Sequence, residues 1–312
     1  MDYVDQNQGK RQTKGSAVSD RVTIMEVGPR DGLQFEKKSL PTPLKVDLIK
    51  DLVAAGLQEI QVASFVNPEI VPQMADADTL VALLPKQAGV VFNGLVLNIK
   101  GVERAVAAGL KSVEVSISAS ETHSRRNVNM TLNESAAQAG EMIRLSKEQG
   151  LSVRAGVQCV FGFPDEEPIP IDRIRRIVEG YLEQGIEILC LSDTTGMADP
   201  GKIDTIMEKI RPLVGDLEIA LHLHDTRGLG LVNVQTALKH GVRHFDSSLA
   251  GMGGCPFVPG AAGNIATEDL VNLLHTCHFE TGVDIEKLAC CSRRMEAFFE
   301  KRFSGRMHRL ML

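Results

Sequence analysis

The sequence predicts a (β/α)8 barrel of the TIM type with an additional C-terminal helical segment, and three observations carry that prediction. Eight short apolar runs rich in β-forming residues recur along the chain, at 22–27, 59–65, 91–97, 112–117, 152–160, 188–192, 218–222 and 244–249. Longer amphipathic stretches separate them, so one strand-and-helix unit returns about every 30 residues. No Gly-x-Gly-x-x-Gly follows the first run, where an open doubly wound sheet would normally carry its phosphate loop.

Helical patterns fill 43–55, 132–149, 171–184, 202–213 and 231–239, and Gly56, Gly109, Gly150, Gly185 and Gly241 stand where helices or their connections stop. From about Asn264 the chain exceeds what an eighth helix needs. Residues 280–284 read as a connector and 285–303 as a further helix, covering one barrel mouth or packing on a partner. Phe298, Phe299 and Phe303 on that basic helix suit packing better than membrane anchoring. Three segments follow: a disordered polar arm at 1–20, the barrel at 21–283, and a helical extension of the same domain at 284–312.

The 312 residues, 43% hydrophobic and 24% charged, can bury a large core. A net charge of −6 with no basic run argues against nucleic acid, while small anionic ligands stay open. No apolar run approaches the ~20 residues that span a bilayer, and the start lacks the apolar stretch of a secretory signal, so the expected compartment is the cytoplasm. Six cysteines with no Cys-x-x-Cys read as reduced thiols rather than a disulfide framework.

The run Leu221-His222-Leu223-His224-Asp225 carries the strongest chemical signal. Alternate side chains of an extended strand leave on one face, so two neutral imidazoles at i, i+2 can close on one divalent ion. A barrel gathers its C-terminal strand ends on one face, which makes the other turns testable for convergence. The first run exits into Gly28-Pro29-Arg30-Asp31, the sixth into Ser192-Asp193-Thr194, and the eighth into Gly251-Met252-Gly253-Gly254-Cys255. Asp31 supplies a hard oxygen beside the two imidazoles, a set suited to Mg2+ or Mn2+, with Zn2+ allowed by ligand type. Asn264 either caps the last barrel helix or adds its amide oxygen to that shell. The Cys255 thiol, in a glycine-rich loop able to fold over a ligand, can protonate a carbanion. Lys100, Arg125 and Arg126 stand where they meet a phosphate, a carboxylate or water.

These motifs, with Ser64-Phe65-Val66, Val71-Pro72-Gln73-Met74 and Gly263-Asn264-Ile265-Ala266-Thr267-Glu268-Asp269, resemble the 3-hydroxy-3-methylglutaryl-CoA lyase family over about residues 22–283. The resemblance implies a metal-dependent retro-Claisen lyase acting on an acyl-CoA, yielding acetyl-CoA and acetoacetate, as a homodimer. It implies a metal held by Asp31, His222, His224 and Asn264, an enolate oxygen met by Arg30, and a carbanion protonated by Cys255. Asp31 or Asp193 would be the base, and Gln34, Gln61, Lys100, Arg227 and Glu268 would join Arg30 in binding substrate. Three positions depart from the family pattern. Gln61 replaces a usual glutamate, Arg227 a usual tyrosine, and Phe163 a small residue. Arg227 is therefore expected to bind a substrate carboxylate and Phe163 to narrow the mouth, which opens citramalyl-CoA as an alternative substrate. A non-catalytic CoA-ester binding protein is a second alternative, and a Claisen synthase a third, for which 284–312 is a short C-terminal region.

Overall fold

The computed structural model describes residues 21–258 and 260–311; the arm expected at 1–20 lies outside the described residues. Eight strands, β1 (Thr23–Glu26), β2 (Glu59–Ser64), β3 (Val91–Val96), β4 (Ser112–Ser118), β5 (Ser152–Gln158), β6 (Ile188–Ser192), β7 (Glu218–His222) and β8 (His244–Ser247), each pair in parallel with the next. β8 closes on β1 with Thr23 opposite His244 and Glu26 opposite Ser247, so no strand edge is left open. Between them run α1 (Thr42–Ala54), α2 (Ala77–Ala82), α3 (Ile99–Ala108), α4 (Glu121–Val128), α5 (Leu132–Glu148), α6 (Ile171–Glu183), α7 (Pro200–Val214), α8 (Gly230–Lys239), α9 (Thr267–Thr276) and α10 (Ile285–Phe299). No described helix is long and apolar enough to cross a membrane.

Local sequence explains several boundaries. Thr131 accepts from the Glu134 N–H while the Glu134 carboxylate accepts from the Thr131 N–H, a reciprocal cap that starts α5. Asp284 caps α10 through the N–H groups of Glu286 and Lys287. The fifth apolar run extends to 160, but β5 ends at Gln158 because Cys159 takes φ +58° and turns the chain. α10 ends at Phe299, short of the expected 303, because Glu300 adopts φ +54°.

Burial of Glu26, on the last position of β1, fastens the seam of the barrel. One carboxylate oxygen accepts from Gly28 N at 2.7 Å and Leu249 N at 2.9 Å, and the other from Thr267 Oγ1 at 2.6 Å. Burial pushes this carboxyl up to about 8, against the pull of those donors. Gly28 must be glycine here: a Cβ would come within 2.2 Å of the Leu249 side chain and 2.6 Å of the Glu26 carboxylate.

α10 packs on the outside of the barrel against α1 and α9, with Arg294 2.7 Å from Asp51. The chain after it returns to the β8 exit. Gly305 N donates to Ala250 O at 2.7 Å and Ser304 Oγ to Gly251 O at 3.1 Å, while the Asp269 carboxylate accepts the N–H groups of Arg306 and Met307.

Candidate active site

At the exit of β1 the N–H groups of Arg30, Asp31 and Gly32 all point to Val27 O, at 3.1, 2.7 and 3.3 Å, a wide helical turn that aims Arg30 and Asp31 into the barrel mouth. β7 delivers His222 and, one turn of the pleat further, His224. Asp31, His222 and His224 are all buried, and each offers a ligand atom within 4.8 Å of the others. The two Nε2 atoms stand 3.1 Å apart and Asp31 Oδ2 lies 4.0 Å from His222 Nε2. Asn264 Nδ2 is 2.7 Å from Asp31 Oδ2, and its Oδ1 is buried without a partner.

This donor set fits a divalent cation. Burial, with His222 beside it, pushes His224 down to about 3, leaving the neutral imidazole that ligates metals. Burial works against the Asp31 charge, but Arg30, the two histidines and Asn264 outweigh it and hold the carboxyl below its ordinary range. The Asn264 amide oxygen, buried and unpartnered on a side chain whose nitrogen meets Asp31, is an acceptor that a bound cation would satisfy.

The interior beneath the site is polar and continuous. Arg30 Nε donates to Gln61 Oε1; Gln61 Nε2 donates to Asn93 Oδ1 and Glu114 Oε2, both at 2.9 Å. The same Glu114 oxygen is 3.2 Å from Arg154 Nε, and Arg154 Nη2 is 2.7 Å from both oxygens of Asp246. Asp246 Oδ2 then lies 3.1 Å from His222 Nδ1, which turns the opposite nitrogen, Nε2, toward the ligand cluster. With the Arg30–Asp31 ion pair the loop of contacts closes. Arg154 is fully buried, and it holds Asp246 ionised although burial opposes that charge.

The structure separates the predicted site residues. Arg30, Asp31, His222, His224 and Cys255 share the wall of one cavity of about 80 Å³, together with Phe35, Glu114, Ser116, Gln158, Ser192 and Thr194. Asp193 lies just behind it: its Oδ1 accepts from Met197 N at 2.7 Å and Ala198 N at 3.0 Å, its Oδ2 is buried and unpartnered, and burial raises it to about 6. Burial also raises the Cys255 thiol above its ordinary value, keeping the proton on sulfur.

Five expectations for substrate contact place differently. Phe35 rather than Gln34 forms the wall, and Gln61 is buried beneath Arg30. Lys100 is exposed on the first turn of α3 and is not part of the wall. Glu268 is buried behind the β8 exit, its carboxylate taken by Ala250 N and Ser292 Oγ. Arg227 is exposed, and its Nη1 donates to the carbonyls of Thr195 and Gly196 at 3.0 and 2.6 Å, which holds that nitrogen on the backbone of the β6 exit. Phe163 does not narrow the mouth; it is buried behind the cavity against His123 and Phe257. Glu114, Arg154 and Asp246 were missed, although a charged residue inside an apolar run is itself a signal that its side chain has a buried partner.

A closed barrel whose strand exits carry Asp31, two imidazoles and a thiol around one cavity is an enzyme of the metal-binding barrel class. The chain belongs to the HMGL-like family, whose model matches residues 21–294, and is a carbon–carbon lyase. It is 40% identical over 276 residues to a hydroxymethylglutaryl-CoA lyase of Bacillus subtilis, covering 88% of this chain and 92% of that one. It is 41% identical over 276 residues to the enzyme of Pseudomonas mevalonii, with the same coverage. Among solved structures, an HMG-CoA lyase from Acinetobacter baumannii in complex with coenzyme A and 3-methylmalate superposes with a TM-score of 0.90 at 37% identity, covering 95% of this chain and 96% of that one.

Proposed function

We propose that the protein cleaves 3-hydroxy-3-methylglutaryl-CoA to acetyl-CoA and acetoacetate with Mg2+ or Mn2+. The observation that carries this reading is the meeting of Asp31, His222 and His224 with Arg30 and Cys255 on one cavity wall. When bound by Asp31, His222, His224 and Asn264, the cation supplies Lewis acidity that lowers the pKa of the substrate's tertiary hydroxyl.

The protein's own groups do the rest. The base that takes the hydroxyl proton is Asp31, on the cavity wall, or Asp193 just behind it, which keeps a buried unpartnered oxygen and a carboxyl raised to about 6. As the C2–C3 bond breaks, its electron pair moves to C2 and onto the thioester oxygen, and the Arg30 guanidinium meets that charge. Cys255, protonated at neutral pH, then delivers its proton to C2 to give the acetyl thioester.

Acetyl-CoA release is measured from a panel of 3-hydroxyacyl-CoA thioesters, with and without EDTA. Release from 3-hydroxy-3-methylglutaryl-CoA that EDTA abolishes and Mg2+ or Mn2+ restores is the expected result; preference for citramalyl-CoA, or release insensitive to EDTA, overturns it. The proposal includes a cytoplasmic homodimer, tested by cell fractionation and by light scattering of the purified protein.

A further inference from the structure

Three rings meet beside the active-site cavity: Phe257 from the β8 loop, His123 from α4 and Phe163 from the β5 exit. Their centroids are 4.9 Å (Phe257–His123), 5.4 Å (Phe257–Phe163) and 5.6 Å (His123–Phe163) apart, at interplanar angles of 72°, 65° and 63°. All three pairs are edge-to-face, the arrangement in which the positive rim of one ring meets the negative face of the next. Phe257 follows Cys255 by two residues, and Val258 N donates back to Cys255 O at 3.2 Å, so thiol and ring belong to one turn. Burial keeps His123 neutral, down to about 4, which suits an aromatic contact rather than a charged one.

Two further features bear on how firmly the turn is held. It is flanked by Gly253 and Gly263 at φ +138° and +81°, backbone settings that glycine adopts without strain. On its other side Phe163 borders an apolar cavity of about 290 Å³ between the β5 exit, α6 and α7, lined also by Phe161, Ile169, Met197 and Ile206. The ring therefore has space to withdraw without disturbing the barrel.

We propose that Phe163 and His123 form an aromatic clasp for Phe257 that holds the Cys255 thiol over the cavity, and that withdrawal of Phe163 into the apolar space behind it frees the loop. Phe163, His123 and Phe257 are positioning residues: they act through Cys255. The role of Cys255 as proton donor rests on the proposed function; the clasp itself is a statement about the loop and is tested without turnover.

The test is the alkylation rate of Cys255 by iodoacetamide, read by mass spectrometry on its own peptide so that the exposed Cys290 does not contribute. Phe163→Leu should raise that rate about tenfold and lower kcat with little change in KM, since loop opening rather than binding is altered. Ile206→Phe, which fills the space behind Phe163, should lower the alkylation rate. Phe257→Leu, confined to the loop, should repeat the Phe163→Leu result and serves if that variant does not fold. Unchanged alkylation in Phe257→Leu, or a faster rate in Ile206→Phe, overturns the clasp. Absence of lyase activity in the unaltered protein would sink the proposed function and leave the alkylation contrast to decide the clasp.

Discussion

Arg154 places one guanidinium nitrogen 2.7 Å from both carboxylate oxygens of Asp246, and so fixes, two residues away in space, the ring of His222. A histidine presents one nitrogen to a metal only if the other is held, and groups that do the holding typically change metal affinity 10- to 100-fold when removed. Asp246→Asn should therefore weaken Mn2+ binding by about that factor, measured by isothermal titration calorimetry. Affinity within twofold of the unaltered protein would mean that His222 is oriented by its strand alone.

Gln61 can receive Arg30 and donate to Glu114 at once because an amide carries both polarities, whereas a second carboxylate there would face Glu114 at 2.9 Å. Gln61→Met keeps the bulk and removes all three contacts, to Arg30, Asn93 and Glu114. The expected outcome is a kcat lower by about 10- to 100-fold, with KM and Mn2+ affinity changed far less, because the guanidinium loses its aim while the ligand cluster stays intact. Steady-state kinetics in parallel with calorimetry checks this, and an unchanged kcat refutes it.

Arg227 binds two backbone carbonyls and stands off the cavity wall. Arg227→Tyr should change kcat/KM for 3-hydroxy-3-methylglutaryl-CoA by less than about threefold and leave the preference among thioesters as it was. A tenfold shift in preference would return this guanidinium to the substrate.

At the opposite end of the barrel His244 is buried, with Glu59 3.1 Å from one ring nitrogen and Glu218 3.4 Å from the other. Burial opposes its charge, but the two carboxylates prevail and raise it from 6.5 to about 9. The folded state therefore keeps a proton that the unfolded chain gives up, so this contribution is complete below about pH 6.5 and is lost as pH rises toward 9. Urea midpoints should fall across that window, and His244→Gln should flatten the fall between pH 8 and 9. An equal slope in the variant would assign the effect elsewhere.

The barrel could be read from the sequence because eight apolar runs at regular spacing leave few topologies to consider, and the ligand cluster because His222 and His224 share one strand face. What stayed hidden depends on which way interior side chains reach. Glu114 and Arg154 face each other in the register of β4 and β5, but Asp246 lies on β8, and only closure of the barrel brings it within reach of Arg154. The backbone partners of Arg227 were not legible, because the carbonyls of Thr195 and Gly196 are presented by the β6 turn and no residue type announces a free carbonyl. Phe163 was misread for a similar reason: a bulky residue in a mouth-side motif turned inward, toward a ring from another loop.

The return of the chain to Ala250 and Gly251 has a practical consequence. Gly305 and Ser304 brace the turn that leads into the thiol loop, so trimming or extending the polypeptide just beyond them should disturb that turn from the far side of the wall. Affinity handles and fusion partners are better attached away from that brace.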